Sequence, residues 1–143
     1  RKMIDRWIAE ATECDFKVAL EVKKPKSWLK SVSAFANGIG GTLFFGIDDD
    51  RNVIGLSDAQ TNAETISRLI KERITPYPSF ILAPERESGK DILVLSVSSG
   101  RSTPYYYKAD GIMEAYIRMG NEKRDYSILC AQSADSQRDA PHL

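Results

Sequence analysis

The sequence predicts an α+β fold, with a mixed, mostly antiparallel sheet and helices packed mainly on one face of that sheet. Apolar residues recur at helical spacing in some segments and alternate with polar residues in others. A strand, a helix and a second strand near the start favour a parallel unit, whereas the later strands come in hairpins. We expect one domain over residues 1–124 and a polar, disordered tail over residues 125–143.

The first part of the chain contains two predicted helices and two predicted strands. Apolar spacing predicts a helix over residues 4–11, and strict alternation predicts a strand over residues 16–22. Ser27 is placed to cap a second helix that runs to residue 36. A nearly continuous apolar run over residues 42–47 is typical of a central strand.

The second part begins with a polar turn and continues with one more helix and further strands. Thr61 and Glu64 have the spacing of a capping box at the start of a helix, which the prolines after residue 74 end. The remaining predicted strands cover residues 53–56, 80–85, 92–97 and 114–118.

Composition excludes several classes of function. Lys and Arg balance Asp and Glu at 20 each, which argues against a strong non-specific polyanion binder, although a neutral sum can hide a basic face. His142 is the one histidine, so zinc sites built on histidine and Ser-His-Asp triads are excluded. Cys14 and Cys130 are far apart, which favours a reduced, cytoplasmic setting, and no apolar run approaches the ~20 residues of a membrane span.

The most basic stretch of the chain includes Lys23, Lys24 and Lys26, with Lys17 and Lys30 on either side. Lysines at the end of a strand and the start of a helix could contact phosphates as mobile point charges. The alternative is a solvated edge, because charged runs are often no more than exposed faces that keep a strand soluble.

The second candidate is a set of carboxylates. If the strands that end near Glu21 and Asp48 are parallel neighbours, both side chains lie at the carboxyl edge of the sheet, with Asp15 close by in sequence. Such carboxylates could hold Mg²⁺ or Mn²⁺ and support phosphodiester cleavage. The alternative is ordinary turn chemistry, which Asp residues also favour.

Three further features allow a structural or a functional interpretation. The glycines at 38, 40 and 41 follow a helix and precede a strand, the reverse of a nucleotide-binding loop, so they predict a helix C-cap and a tight turn. Tyr105–Tyr107 could stack on bases, but alternation predicts burial on one face of a strand. Arg118 could pair with a carboxylate or contact a phosphate.

Taken together, several of these segments resemble the Schlafen-type Alba-like domain family, and the resemblance covers roughly residues 15–121. The ordered combination carries the resemblance, because each piece alone is weak. The segments are Leu20–Lys23, Ser33–Asn37, Gly40–Asp49, Val53–Leu56, Ile74–Pro76, Pro104–Tyr105 and Tyr116–Gly120.

The resemblance implies an Alba-like fold and a DNA-binding role of the kind described for bacterial transcriptional regulators. Animal members that the chain resembles include RNA-cleaving enzymes with a carboxylate triad. Glu21 matches the second position of that triad, and Asp48 or Asp49 matches the third. Phe16 occupies the first position, so Asp15 or Glu13 would have to substitute for it.

The leading hypothesis is a nucleic-acid-binding module that takes DNA or RNA without a cofactor. The alternatives are a metal-dependent nuclease that uses Glu21, Asp48 and Asp15, with Mg²⁺ or Mn²⁺ held by Glu21 and Asp48, and a homodimerising interaction module. Whether the chain is an enzyme stays open at this point. The cations expected to contact phosphates are Lys17, Lys23, Lys24, Lys26, Lys30 and Arg118.

Overall fold

The computed structural model of the protein describes residues 3–118 and 126–133. Among these residues, no helix is long and apolar enough to cross a membrane. The described elements, in chain order, are α1 (Met3–Glu10), β1 (Cys14–Lys17), α2 (Lys26–Asn37), β2 (Gly41–Phe45), α3 (Ala59–Arg73), β3 (Ile74–Thr75), β4 (Phe80–Glu87), β5 (Lys90–Val97), β6 (Tyr106–Ala109), β7 (Ile112–Arg118) and β8 (Tyr126–Ser133).

The described strands form two four-stranded sheets, in the orders β1-β2-β5-β4 and β3-β6-β7-β8. Strands β1 and β2 pair in parallel, and the other described pairings are antiparallel. The α+β fold class and the early parallel pairing are therefore confirmed. The sequence predicts a single sheet, whereas the structure divides the strands between two.

The reason for two sheets lies in α2, which is buried around most of its circumference between Trp28 and Ala36, with Ser31 and Ser33 included. Trp28, Leu29, Val32 and Phe35 are all fully buried, and α2 contacts strands of both sheets. A helix that buries side chains on opposite sides has to be covered by more than one layer of structure. The first sheet covers it with Leu43, Phe45, Leu93, Leu95 and Val97, and the second covers it with Tyr107 and Tyr116, together with Tyr105 just before β6.

The opposite face of the first sheet is covered by α1. Ile4 and Ile8 of α1 pack with Phe16, Phe44 and neighbouring apolar side chains in a second core cluster. The rings of Phe16 and Phe44 are stacked with their centroids 5.4 Å apart. Helices α2 and α3 share the main core, so two of the three described helices lie on one face of this sheet.

Strand β1 is shorter than the sequence predicts. It ends at Lys17, and the expected alternation continues into a loop where Val18 and Val22 are 50% and 53% exposed. The neighbouring strand sets this limit, because Lys17 pairs with Phe45, the last residue of β2, and Gly46 then turns away with φ 98°. Without a partner strand, the alternating residues after Lys17 cannot extend the ladder.

The sequence predicts residues 53–56 as the hairpin partner of the strand at residues 42–47, and this pairing is reduced to a single bridge. Ile47 and Val53 form an isolated antiparallel bridge. The N–H groups of Ile54 and Gly55 then both donate to the carbonyl of Gly46, at 2.8 and 2.9 Å. The segment therefore closes a tight loop around Gly46 and does not continue as a strand.

Both predicted helix caps lie inside the first turn of the observed helices. Asp58 caps α3 by accepting a hydrogen bond from the N–H of Thr61, at 3.2 Å, and hydrogen bonding with Thr61 lowers the pKa of Asp58. Pro25 occupies the cap position of α2, where no side-chain cap bond forms. The carbonyl of Pro25 accepts from the N–H groups of Trp28 and Leu29.

Two polar residues of α2, one helical turn apart, fasten the helix to the second sheet, and we call them the Ser33–Asn37 clamp. The hydroxyl of Ser33 donates to the carbonyl of Tyr105 at 2.7 Å and accepts from the N–H of Tyr116 at 3.0 Å. The Asn37 amide donates to the carbonyls of Tyr105 and Tyr116, both at 3.0 Å, and accepts from the N–H of Tyr105 at 2.7 Å. The clamp therefore satisfies backbone groups of Tyr105, just before β6, and of Tyr116, within β7.

The glycines after α2 act as the sequence predicts, as a helix end and a tight turn. The N–H groups of Gly38 and Gly40 both donate to the carbonyl of Phe35. Gly40 has φ 85°, and a Cβ there would lie 2.8 Å from the carbonyl oxygen of Val97. A Cβ on Gly41 would lie 2.6 Å from the Phe35 ring, so the helix and β2 can approach only with glycine there.

The segment for which the sequence predicts a polar tail includes a strand. Residues 126–133 pair with β7 as β8, with a register shift beside Ala115. The apolar stretch at residues 128–131 is the local sequence signal for this strand. Strand β7 would otherwise present unpaired N–H and C=O groups along that edge, which favours pairing. The rest of the predicted tail, residue 125 and residues 134–143, lies outside the described residues.

We expect Asn37→Ala to lower the free energy of unfolding by about 3 kcal/mol, because the backbone groups of Tyr105 and Tyr116 would lose their partner inside the protein. Urea denaturation measures this change. Asn62→Ala, on α3, is the matched control: among the described residues its side chain forms no hydrogen bond, and its effect should stay within about 0.5 kcal/mol. Equal effects of the two variants would contradict the clamp.

Candidate functional site

A cavity of about 690 Å³ opens where the loop after β1 enters α2. Its walls come from that loop, the first turns of α2, the end of α3 and the hairpin of β6 and β7. The lining residues are Val22, Lys23, Lys24, Pro25, Lys26, Ser27, Lys30, Arg73, Tyr107, Asp110 and Tyr116.

The cavity gathers positive charge from three segments of the chain. Lys23 and Lys24 belong to the loop, Lys26 and Lys30 lie one helical turn apart on α2, and Arg73 is the last residue of α3. Of the described residues that line the cavity, Asp110 is the one carboxylate. In a chain of zero formal net charge, this distribution creates a local basic surface.

The local geometry of the loop explains why these lysines face a common space. Pro25 has φ −67° and ψ −16°, so it already has helical geometry and α2 begins directly after it. The carbonyls of Lys24 and Pro25 accept hydrogen bonds from the first backbone N–H groups of α2. Lys23 and Lys24 are consequently held just before the helix start, and Lys26 and Lys30 follow on successive turns of α2.

One of the lysines is fixed by neighbouring side chains. Lys26 Nζ donates a hydrogen bond to Glu114 Oε1 at 2.9 Å. It also lies 5.8 Å from the centroid of the Tyr116 ring. The Tyr116 hydroxyl donates to the same Glu114 oxygen, at 2.9 Å. The hydrogen bond with Glu114, followed by that with Tyr116, raises the pKa of Lys26 above its usual value. The bond with Lys26 lowers the pKa of Glu114, and burial raises that of Tyr116.

Tyr107 and Tyr116 form the aromatic part of the cavity wall. They are 5% and 6% exposed, because most of each ring packs against the core around α2. Tyr106 is equally buried and packs with Met113 and Ala115 in a separate cluster. The expectation that alternation would expose one side of Tyr105–Tyr107 is therefore wrong, since both faces of this sheet have apolar contacts.

The structure places Lys17 and Arg118, two of the cations predicted to contact phosphates, outside the lining of the cavity. Lys17 Nζ lies 4.0 Å from the buried carboxylate of Asp15. The side chain of Arg118 is 9% exposed, donates to the carbonyl of Cys14 at 3.2 Å and lies over the Phe35 ring at 6.0 Å. This geometry gives Arg118 a structural role in joining β7 to the start of β1.

Two of the three predicted catalytic carboxylates are engaged in local structure. The carboxylate of Asp15 is buried and accepts from the hydroxyl of Ser31 at 3.0 Å and from the N–H of Phe16 at 2.9 Å. Asp48 closes the turn that follows β2 by accepting from the N–H groups of Asp50 and Asn52. The backbone bond from Asn52 is the main reason that the pKa of Asp48 is lowered.

Glu21 is exposed in the loop after β1, because the strand expected to carry it ends at Lys17. In the part of the chain that the structure describes, no group of three His, Cys, Asp or Glu side chains is placed to hold a metal ion. The metal-dependent nuclease with Glu21, Asp48 and Asp15 stays a prediction. That hypothesis assumes two parallel strands that end at Glu21 and Asp48, whereas β1 ends at Lys17.

Sequence reasoning did not single out Arg73, Glu114 or Asp110 as functional residues. Arg73 looks like an ordinary basic residue in the last turn of a helix, where it complements the helix dipole. Glu114 and Asp110 belong to a strand and a hairpin turn far from the lysines in sequence. Only the Asp110-Gly111 pair carried a local signal, that of a tight hairpin turn.

The fold has counterparts among solved structures. One is the N-terminal domain of a RecG-related protein from Nitrosomonas europaea, named for an ATP-dependent DNA helicase. It is 24% identical, with a TM-score of 0.60, and the match covers 92% of this chain and 93% of that chain. Another is the DIP2311 protein from Corynebacterium diphtheriae, at 19% identity and a TM-score of 0.56, where the match covers 92% of this chain and 28% of that chain.

The family model described as Schlafen, AlbA_2 matches residues 10–127, which include every element from β1 to β7. The match spans the loop, the helix α2 and the hairpin that together form the cavity. The resemblance seen in the sequence is thereby confirmed, and the chain belongs to the Schlafen AlbA_2 family.

Proposed function

We propose that the protein binds nucleic acid and that the basic cavity is the surface that contacts its phosphates. One observation carries the proposal: Lys23, Lys24, Lys26, Lys30 and Arg73 converge on one cavity although the chain as a whole has zero formal net charge. A surface charge concentrated in this way attracts a polyanion locally, whereas a uniformly neutral surface does not.

The cavity cations differ in the kind of phosphate contact that each can make. Lys23 and Lys24 are exposed, and no described carboxylate pairs with either of them, so each is available as a mobile point charge. Arg73 presents a planar guanidinium that can bind a phosphate through two parallel hydrogen bonds. Lys26 already has Glu114 as a partner, so its net charge is largely compensated before any ligand arrives.

These contacts supply affinity and positioning without reading base sequence. The RecG-related protein with the same fold is named for a DNA helicase, which supports nucleic acid as the partner of this chain as well. We further propose DNA as the ligand and a transcriptional regulator in the cytoplasm as the setting. A homodimerising module is a separate alternative, and sedimentation at high protein concentration tests it.

Binding to duplex DNA should weaken steeply with salt. If four cavity cations each neutralise one phosphate, affinity should fall about a hundredfold between 50 and 200 mM salt. Lys24→Ala should reduce the slope of log K against log salt concentration by about 0.9, because one phosphate contact is lost. Lys71→Ala is the matched control, since Lys71 is exposed on the last turn of α3 and does not line the cavity.

Fluorescence anisotropy with a labelled duplex measures both slopes. A Lys24→Ala protein that binds with the wild-type slope, or a Lys71→Ala protein that changes it as much, would count against the cavity as the interface. A wild-type protein with no affinity at 50 mM salt would remove the proposed function.

Lys26 should contribute less to affinity than Lys24, because Glu114 already compensates its charge. Glu114→Gln keeps an acceptor for the Lys26 ammonium and the Tyr116 hydroxyl but removes the negative charge. We expect this variant to bind duplex DNA more tightly and to steepen the salt slope by up to about 0.9. Glu72→Gln, at the exposed ion pair with Arg68 on α3, should leave the slope unchanged, and an equal effect of both variants would contradict this role of Glu114.

A further inference from the structure

Asp110 is the one carboxylate among the described residues that line the basic cavity. It lies in the two-residue turn between β6 and β7, where Asp110 has φ 53° and Gly111 has φ 81°. Positive φ at both central residues is the geometry of a type I′ turn, whose twist matches that of the two paired strands. Asp110 is therefore fixed at the cavity edge by a structure that the rest of the hairpin determines.

The carboxylate of Asp110 has no hydrogen bond or ion pair with any described residue, although four lysines and Arg73 line the same cavity. Glu114 behaves differently, since it is bonded to both Lys26 and Tyr116. Asp110 thus does not serve to neutralise a particular cation of the cavity.

The turn by itself does not require a carboxylate. Asn-Gly and Gly-Gly support the same type I′ geometry as Asp-Gly, because all three tolerate positive φ. A negative charge beside phosphate contacts opposes the binding of a polyanion unless it accepts a hydrogen bond from the ligand. An ionised carboxylate is an acceptor only, so it distinguishes ligand groups that donate from groups that do not.

We propose that Asp110 is a specificity-determining residue that accepts a hydrogen bond from a donor group of the bound nucleotide. The inference rests on the proposed nucleic-acid-binding function of the cavity. Nucleotides offer two such donors close to a phosphate-binding surface: the ribose 2′-hydroxyl, and the amino or imino groups of an unpaired base. The lysines and Arg73 then supply affinity, while Asp110 selects among nucleic acids.

The test uses Asp110→Asn and Asp110→Gly in the full chain, since both residues tolerate φ 53° and keep the turn. Affinity is measured for single strands of one sequence made as RNA, as DNA, and as DNA with inosine in place of guanine, which lacks the 2-amino group. Thermal unfolding of each variant verifies that the hairpin is intact.

We expect the wild type to prefer one member of a probe pair, and Asp110→Gly to lose about tenfold in affinity for that preferred strand, with a smaller loss in Asp110→Asn. A change confined to the RNA–DNA pair identifies the 2′-hydroxyl as the donor, and a change confined to the guanine–inosine pair identifies the base. A uniform gain for all strands in both variants would show simple charge repulsion and overturn the inference alone. A wild type that binds none of the strands overturns the proposed function, and the inference with it.

Discussion

The Ser33–Asn37 clamp is the interaction on which the arrangement of the two sheets depends. Helix α2 meets the first sheet mainly through apolar side chains, with one hydrogen bond from the Ser31 hydroxyl to Asp15 of β1. Toward the second sheet it adds hydrogen bonds to backbone groups of Tyr105 and Tyr116, and these define one position of the hairpin relative to the helix. The cavity lies between that hairpin and the start of α2, so its shape follows from the clamp.

The cavity is basic in a chain of zero formal net charge because acidic side chains interact with groups outside the cavity. Asp15 and Asp48 bind backbone and hydroxyl hydrogens, while Asp91 and Glu72 pair with arginines on other surfaces. Among the described residues, Glu114 is the acid that neutralises a cavity cation. The result is a basic region that a sum over the composition cannot show, because the sum ignores where each charge lies.

Much of the fold was predictable from the sequence. The helices, the central strand at residues 42–47 and the glycine turn after Asn37 follow from local periodicity and from the special backbone freedom of glycine. The length of β1 was not predictable in this way. Its alternating residues continue to Val22, and the strand stops at Lys17 because its neighbour β2 ends there. Strand pairing depends on a partner, which a local pattern does not contain.

For the candidate site, the sequence by itself determined the basic stretch that holds Lys23, Lys24, Lys26 and Lys30, since these residues are close along the chain. Only the tertiary structure brought Arg73, Asp110 and Glu114 to them and placed Lys17 and Arg118 elsewhere. The physical reason is that electrostatic and hydrogen-bonding interactions depend on distance in space and not on separation along the chain. Residues 26 and 114 are separated by 88 positions, yet their side chains lie within hydrogen-bonding distance once α2 has packed against β7.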